Sequence, residues 1–114
     1  MIITGVVLHL TEGSIDKQRA ALRNALNLVP ELEPGTPIEV VVHGEAIALA
    51  RRGQETAGAL TAAFDAGITL VVCRNSMRSQ NLTDDALVRG AVSVPSGVGH
   101  LVARQREGWA YLRP

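Results

Sequence analysis

The sequence predicts an α/β protein whose core is a mainly parallel sheet of about five strands. Three observations lead there. Apolar, β-branched runs alternate with segments of helical period along the chain. The linkers between them are short and often marked by Gly or Pro. Residues 68–72 (Ile-Thr-Leu-Val-Val) form an almost unbroken apolar run after Gly67, the pattern of a strand buried on both faces. Parallel strands need crossover helices, so helices are expected on both faces of the sheet.

Residues 2–10 read as the first strand, with His9 near its carboxyl end. Ser14 or Asp16 can cap a helix running to about Val29. Leu22, Leu26 and Val29 fall at i, i+4 and i+7, Ala21 and Ala25 fill the same side, and Lys17, Arg19 and Arg23 lie away from it. Pro30 ends that helix. Residues 38–42 form the second strand, closed by His43-Gly44. A short helix is expected over residues 45–52, with Glu45 at its positive end and Arg51 and Arg52 at its negative end. Gly53 breaks it.

Residues 55–66 form the next helix, with Leu60, Ala63 and Phe64 on one face and Gly67 as its C-terminal stop. The third strand, residues 68–73, follows at once. Residues 74–81 are polar and show no apolar pattern apart from Met77. Thr83 is placed to cap a short helix over residues 84–89, which Gly90 stops. Residues 91–94 form a fourth strand. Pro95-Ser96-Gly97 opens a last helix through Glu107, with Val98, Leu101 and Val102 expected inward and His100 solvated or at an interface. Residues 109–112 form a fifth strand, with Trp109 and Tyr111 on one face, where they are expected to meet a neighbouring copy.

The 114 residues suit one domain, residues 1–114. Aromatics make up 3%, so the core must be built from Val, Leu, Ile and Ala. Eleven basic residues balance eleven acidic ones, which gives no electrostatic footprint for nucleic acid or an anionic membrane. No apolar run approaches the roughly 20 residues that span a bilayer. The start of the chain runs into a strand-like segment without the basic and small-residue features of a signal peptide. One cysteine cannot form an internal disulfide. A cytoplasmic, reducing compartment is the expectation.

In an open parallel sheet, ligands gather beyond the carboxyl ends of the strands. His9, His43, Cys73 and Pro95-Ser96-Gly97 are all expected on that edge. Cys73 becomes a nucleophile if its pKa is lowered, and the backbone N–H groups of Arg74, Asn75 and Ser76 can form a small anion-binding nest beside it. The competing reading is a buried structural cysteine. His43 can orient or activate Cys73, with Gly44 providing a sharp turn or close approach to a ligand; the competing reading is a capping surface histidine. A metal site from His9, His43 and Cys73 has suitable ligand chemistry but no supporting local spacing. Ser96-Gly97-Val98-Gly99 resembles a phosphate-holding helix start, without the full Gly-x-Gly-x-x-Gly fingerprint or a P-loop lysine.

Four blocks stand in a distinctive order: Val-Val-Val-His-Gly over residues 40–44, Val-Val-Cys-Arg-Asn-Ser over 71–76, Val-Ser-Val-Pro-Ser-Gly-Val over 92–98 and Glu-Gly-Trp-Ala-Tyr over 107–111. Together they resemble the DsrE/DsrF-like family of small α/β proteins, over nearly the whole chain. The resemblance implies a three-layer α/β/α, flavodoxin-like fold and homo-oligomers, often trimers or hexamers. It also implies a role for Cys73, since some members carry sulfur as a persulfide on a cysteine at the end of the central strand. His43, Asn75 and Ser76 match positions that line the same pocket. The leading expectation is a cytoplasmic sulfur carrier rather than a turnover enzyme. It would take sulfane sulfur onto Cys73 and pass it to a partner thiol, with no cofactor. Gly44, Arg74, Asn75, Ser76, Ser96 and Gly97 would line its pocket. The alternative is a non-catalytic module that binds a small anion or regulatory ligand in that pocket.

Overall fold

The computed structural model describes residues 3–114. The strands are β1 (Val6–Leu10), β2 (Ile38–Val42), β3 (Thr69–Cys73), β4 (Val92–Val94) and β5 (Ala110–Leu112). They form one five-stranded sheet in the order β4-β3-β2-β1-β5, and every pairing is parallel. The helices are α1 (Ile15–Leu28), α2 (Ala57–Asp65), α3 (Arg74–Ser79) and α4 (Gly97–Arg106). Short 3-10 turns occupy Val29–Glu31, Gly44–Ala50 and Asp84–Ala86. Among the described residues, no helix is long and apolar enough to cross a membrane.

The sheet is buried on both faces, and its side chains alternate between two cores. Leu8, Leu10, Val40, Val42, Leu70 and Val72 pack on one face against Ala21, Leu22, Leu60 and Ala63 of α1 and α2. Val7, Val41 and Val71 point to the other face and meet Leu101 of α4 and Trp109. The chain lays β1 to β4 in order toward one edge, then returns through α4 to place β5 beside β1 at the other. That return carries the start of α4 past the carboxyl ends of the central strands.

Several elements differ from expectation. Residue 2 of the expected first strand lies outside the described residues, and the ladder itself begins at Val6. Before it, Thr4 ties the chain to the turn after α4, through its N–H to the Gly108 carbonyl and its hydroxyl to the Glu107 carbonyl. α1 is capped by Ser14, whose hydroxyl accepts from the Lys17 N–H, but Val29 has left the helix and is exposed. Gln18 takes an inward place instead, because its amide satisfies the Glu12 carbonyl. Lys17 is half-buried, with its ammonium 2.5 Å from the Pro114 carbonyl oxygen.

The expected helix over residues 45–52 is a 3-10 segment that stops at Ala50. Arg51 then bridges to Leu87, and the Val88 N–H reaches the Ala50 carbonyl. The same bridge cuts short the expected helix over residues 84–89, and the Thr83 hydroxyl donates to the Asp85 carboxylate rather than capping. Residues 74–79, which show no apolar repeat, are the helix α3, held to the core by Met77 alone.

α4 is rotated from expectation. Val98 and Val102 are 55% and 56% exposed, while Leu101 is buried. The cause is Glu39 of β2, which faces α4 and is 7% exposed. Its carboxylate lies 2.7 Å from His100 Nε2 and accepts from Arg104 at 2.8 Å. A buried carboxylate must find such partners. Gly97, Leu101 and Arg104, spaced i, i+4 and i+7, therefore share the inward side with His100. The Arg104 guanidinium also lies 4.3 Å over the Trp109 ring. Trp109 is buried in this cluster, so it is spent within the chain and not free to meet a neighbour.

Candidate functional site at the strand ends

Cys73 ends β3 and is the N-cap residue of α3. It is the free cysteine of the chain and is 6% exposed. Because β3 passes directly into α3, the first N–H groups of the helix have no carbonyl partner and point back at the sulfur. Against Cys73, α4 begins at Gly97, behind its own cap, Ser96. Glycine suits the close approach there. A Cβ at Gly97 would lie 3.1 Å from Cys73 Cβ, 3.6 Å from the sulfur and 3.4 Å from His43 Cβ.

Burial raises the pKa of the Cys73 thiol. Hydrogen bonds from the Ser76 hydroxyl and from the N–H groups of Gly97, Ser76 and Asn75 outweigh it, and the net pKa is below the ordinary thiol value. The Ser76 hydroxyl is itself aimed. It accepts the Gly44 N–H at 2.8 Å, which leaves its own proton for the sulfur. Gly44 can present that N–H because its φ of +60° is in the left-handed region that glycine tolerates. The Gly44 carbonyl accepts the Gln80 amide at 2.8 Å, so the turn after β2 is clamped to α3 from both sides.

Of the residues expected around the pocket, Cys73, His43, Gly44, Ser76 and Gly97 come together. Asn75 contributes its backbone N–H, while the residue itself is exposed. Arg74 turns away and donates to Ser93 of β4 at 2.5 Å. The Ser96 hydroxyl is used to accept the Gly99 N–H at 3.1 Å, closing the first turn of α4.

His43 borders Cys73 but its ring is engaged elsewhere. Its Nε2 lies 2.6 Å from His9 Nε2, and the two rings stack with centroids 4.8 Å apart. His9 Nδ1 in turn lies 2.6 Å from the Tyr111 hydroxyl. Burial lowers the pKa of both imidazoles. The charge of Arg113 lowers it further, and for His9 the neighbouring His43 does as well. Both therefore lie below the ordinary imidazole value of 6.5, which favours the neutral form at pH 7. Tyr111, read from sequence as an oligomer contact, belongs to this chain of side chains. Val7 and His9, and Val41 and His43, share a face by the period of two, but only the strand order brings that face of β5, β1 and β2 together. Among the described residues, no three His, Cys, Asp or Glu side chains converge to hold a metal ion.

Comparison with known proteins agrees with this architecture. No curated protein is similar to the chain in sequence. A solved structure, a protein of unknown function from Methanobacterium thermoautotrophicum, is 37% identical with a TM-score of 0.90, over 96% of this chain and 97% of that one. The ychN protein of E. coli shares the fold at 14% identity and a TM-score of 0.80, over 98% of this chain and 100% of its own. A conserved protein of unknown function from Bacteroides thetaiotaomicron does so at 15% identity and 0.67, over 95% and 94%. The model of the DsrE/DsrF-like family matches residues 5–114. With four sequence blocks in order, an all-parallel five-stranded sheet and a full-length family match, the chain belongs to the DsrE/DsrF-like family.

Proposed function

We propose that this protein is a sulfur carrier that holds sulfane sulfur on Cys73 as a persulfide and passes it to a partner's thiol. The observation that carries the reading is the place of the chain's single cysteine, at the end of β3, capping α3 and packed against Gly97 at the start of α4, where the Ser76 hydroxyl and nearby backbone N–H groups lower its pKa. Membership of the DsrE/DsrF-like family supports it. A lowered pKa makes the thiolate available to attack a sulfane sulfur. The S–S bond to Cys73 forms while the donor's leaving sulfur departs with the electron pair of the broken bond. A persulfide is more acidic than a thiol, so the loaded form is anionic near neutral pH. Fixed N–H dipoles and the Ser76 hydroxyl can hold that charge without a cation.

The same donors would also hold a small anion, which sustains the binding-module reading. Retention of the loaded form separates the two. A hydrogen bond to a charged group is worth roughly 1.5–3 kcal/mol. Ser76→Ala should therefore shorten the lifetime of the persulfide by about tenfold or more. Asn24→Ala, on the exposed side of α1, should leave it unchanged. Equal lifetimes would remove Ser76 from the site, and anion binding that survives Cys73→Ala unchanged would favour the module.

The carrier is proposed to work as a homo-oligomer, a trimer or hexamer, in a reducing cytoplasm where a lone thiol stays free. Val98 and Val102 on α4, with Val92 on the edge strand β4, are large apolar side chains left exposed and would be covered in such an assembly. Sedimentation at micromolar concentration should give a multiple of the 12.1 kDa chain mass. A monomer would refute the assembly.

A further inference from the structure

The donors at Cys73 stabilise charge on sulfur, but none of them can accept a proton from an incoming thiol. His43 is a base that flanks the same close approach as Cys73, since a Cβ at Gly97 would lie 3.1 Å from Cys73 Cβ and 3.4 Å from His43 Cβ. It is not alone. Tyr111 from the edge strand β5, His9 from β1 and His43 after β2 form one continuous hydrogen-bonded chain, with both links 2.6 Å long. The chain runs from exposed Tyr111 inward to half-buried His43. Sequence places these three residues 102 and 34 positions apart, so only the sheet order, which puts β5 beside β1, assembles them.

We propose that Tyr111, His9 and His43 form a proton relay that removes the proton of the thiol attacking the sulfur held on Cys73. This rests on the carrier reading and adds the step by which the sulfur is delivered. Neutral imidazoles satisfy the chain in either direction. In one, the His43 Nε2–H donates to His9 Nε2, the His9 Nδ1–H donates to the Tyr111 oxygen, and His43 Nδ1 is free to accept a proton. A proton arriving there shifts each bond in turn, and the Tyr111 proton leaves to solvent. The chain is left in the opposite direction and resets by tautomer exchange.

The delivery step then balances. The loaded form is mainly anionic near neutral pH, and the fraction that has taken up a proton from solvent, Cys73–S–SH, reacts with an acceptor R–SH. A bond forms between the acceptor sulfur and the outer sulfur, and the bond between the outer sulfur and Cys73 breaks, leaving its electron pair on Cys73. The products are R–S–SH, the Cys73 thiolate held by its donors, and one proton carried off by the relay. Nothing is oxidised or reduced beyond the exchange of sulfur between thiols.

The charged and titratable groups around the relay favour this use. Arg113, following β5, contacts the His9 carbonyl and the Glu12 carboxylate. Its charge opposes a proton resting on either imidazole, and for His9 the Glu12 carboxylate partly offsets it. Cys73 and the amino end of α4 close the inner side. A proton taken up is thus passed on rather than stored.

The test loads the purified protein with inorganic polysulfide, confirms the load by intact mass, and measures delivery to N-acetylcysteine from pH 6 to 9.5. His9→Gln and Tyr111→Phe should load as the unmodified protein does. Near pH 7, where the acceptor is mostly protonated, they should deliver about tenfold more slowly or worse. The deficit should vanish above the acceptor's pKa, where no proton remains to be removed. Tyr111→Phe removes only one exposed hydroxyl and so guards against misfolding of the His9 variant. Equal delivery at every pH, or a deficit that stays constant with pH, would overturn the relay and leave the carrier reading standing. A wild-type protein that never takes up sulfur would overturn both.

Discussion

Glu39→Ala is expected to cost about 3 kcal/mol of folding stability, the range seen when one partner of a buried ion pair is removed. The carboxylate is 7% exposed and carries bonds from both His100 and Arg104, so its loss leaves two inward-facing donors of α4 unanswered. For a chain of this size the melting temperature should fall by roughly 10–20 °C. The effect carries a pH signature. Burial opposes ionisation of Glu39, and the bonds and charges of Arg104 and His100 overcome it, so the folded carboxyl lies below its ordinary value of 4.5. A depressed folded pKa gives stability that is present above the unfolded value and lost as pH falls through the folded one. The wild-type melting temperature should drop as pH is lowered below 4.5, and the variant's should drop less. A change within about 2 °C at neutral pH would show that α4 is held by Leu101 and Trp109 alone.

Cys73 in the native protein is expected to alkylate with iodoacetamide at pH 6 faster than a model thiol does. Its pKa is lowered by hydrogen bonds that outweigh burial, so more thiolate is present at a given pH. Lower basicity reduces intrinsic nucleophilicity only in part, and the thiolate fraction dominates well below the pKa. Ser76→Ala should slow labelling by about tenfold, the equivalent of one charge-assisted hydrogen bond. Circular dichroism would verify that the fold survives. Labelling that needs denaturant would return Cys73 to the status of a structural cysteine.

The sheet was legible because its strands are short apolar runs bounded by Gly and Pro, and β2 and most of β3 fall where residues 38–42 and 68–73 were expected. α3 was not legible, since a six-residue helix with one buried side chain has no period to detect. The face of α4 was misread for a different reason. Apolar Val98 and Val102 suggested an inward stripe, but the buried charge of Glu39 draws His100 and Arg104 inward and leaves the valines outside. Sequence reasoning had no means of pairing Glu39 with a helix 61 residues away. The candidate site divides in the same way. Cys73, Gly44, Ser76 and Gly97 follow from the ends of parallel strands and the starts of helices. The link from His43 through His9 to Tyr111 depends on strand order, which no local pattern encodes.

The carrier reading is tested most directly by intact-mass analysis of the native protein after exposure to a sulfane-sulfur donor, with Cys73→Ser beside it. The wild-type chain should gain the mass of one sulfur atom, lose it on addition of a thiol, and show no gain when Cys73 is replaced. A wild-type chain whose mass stays unchanged, or a gain that persists in Cys73→Ser, would contradict it.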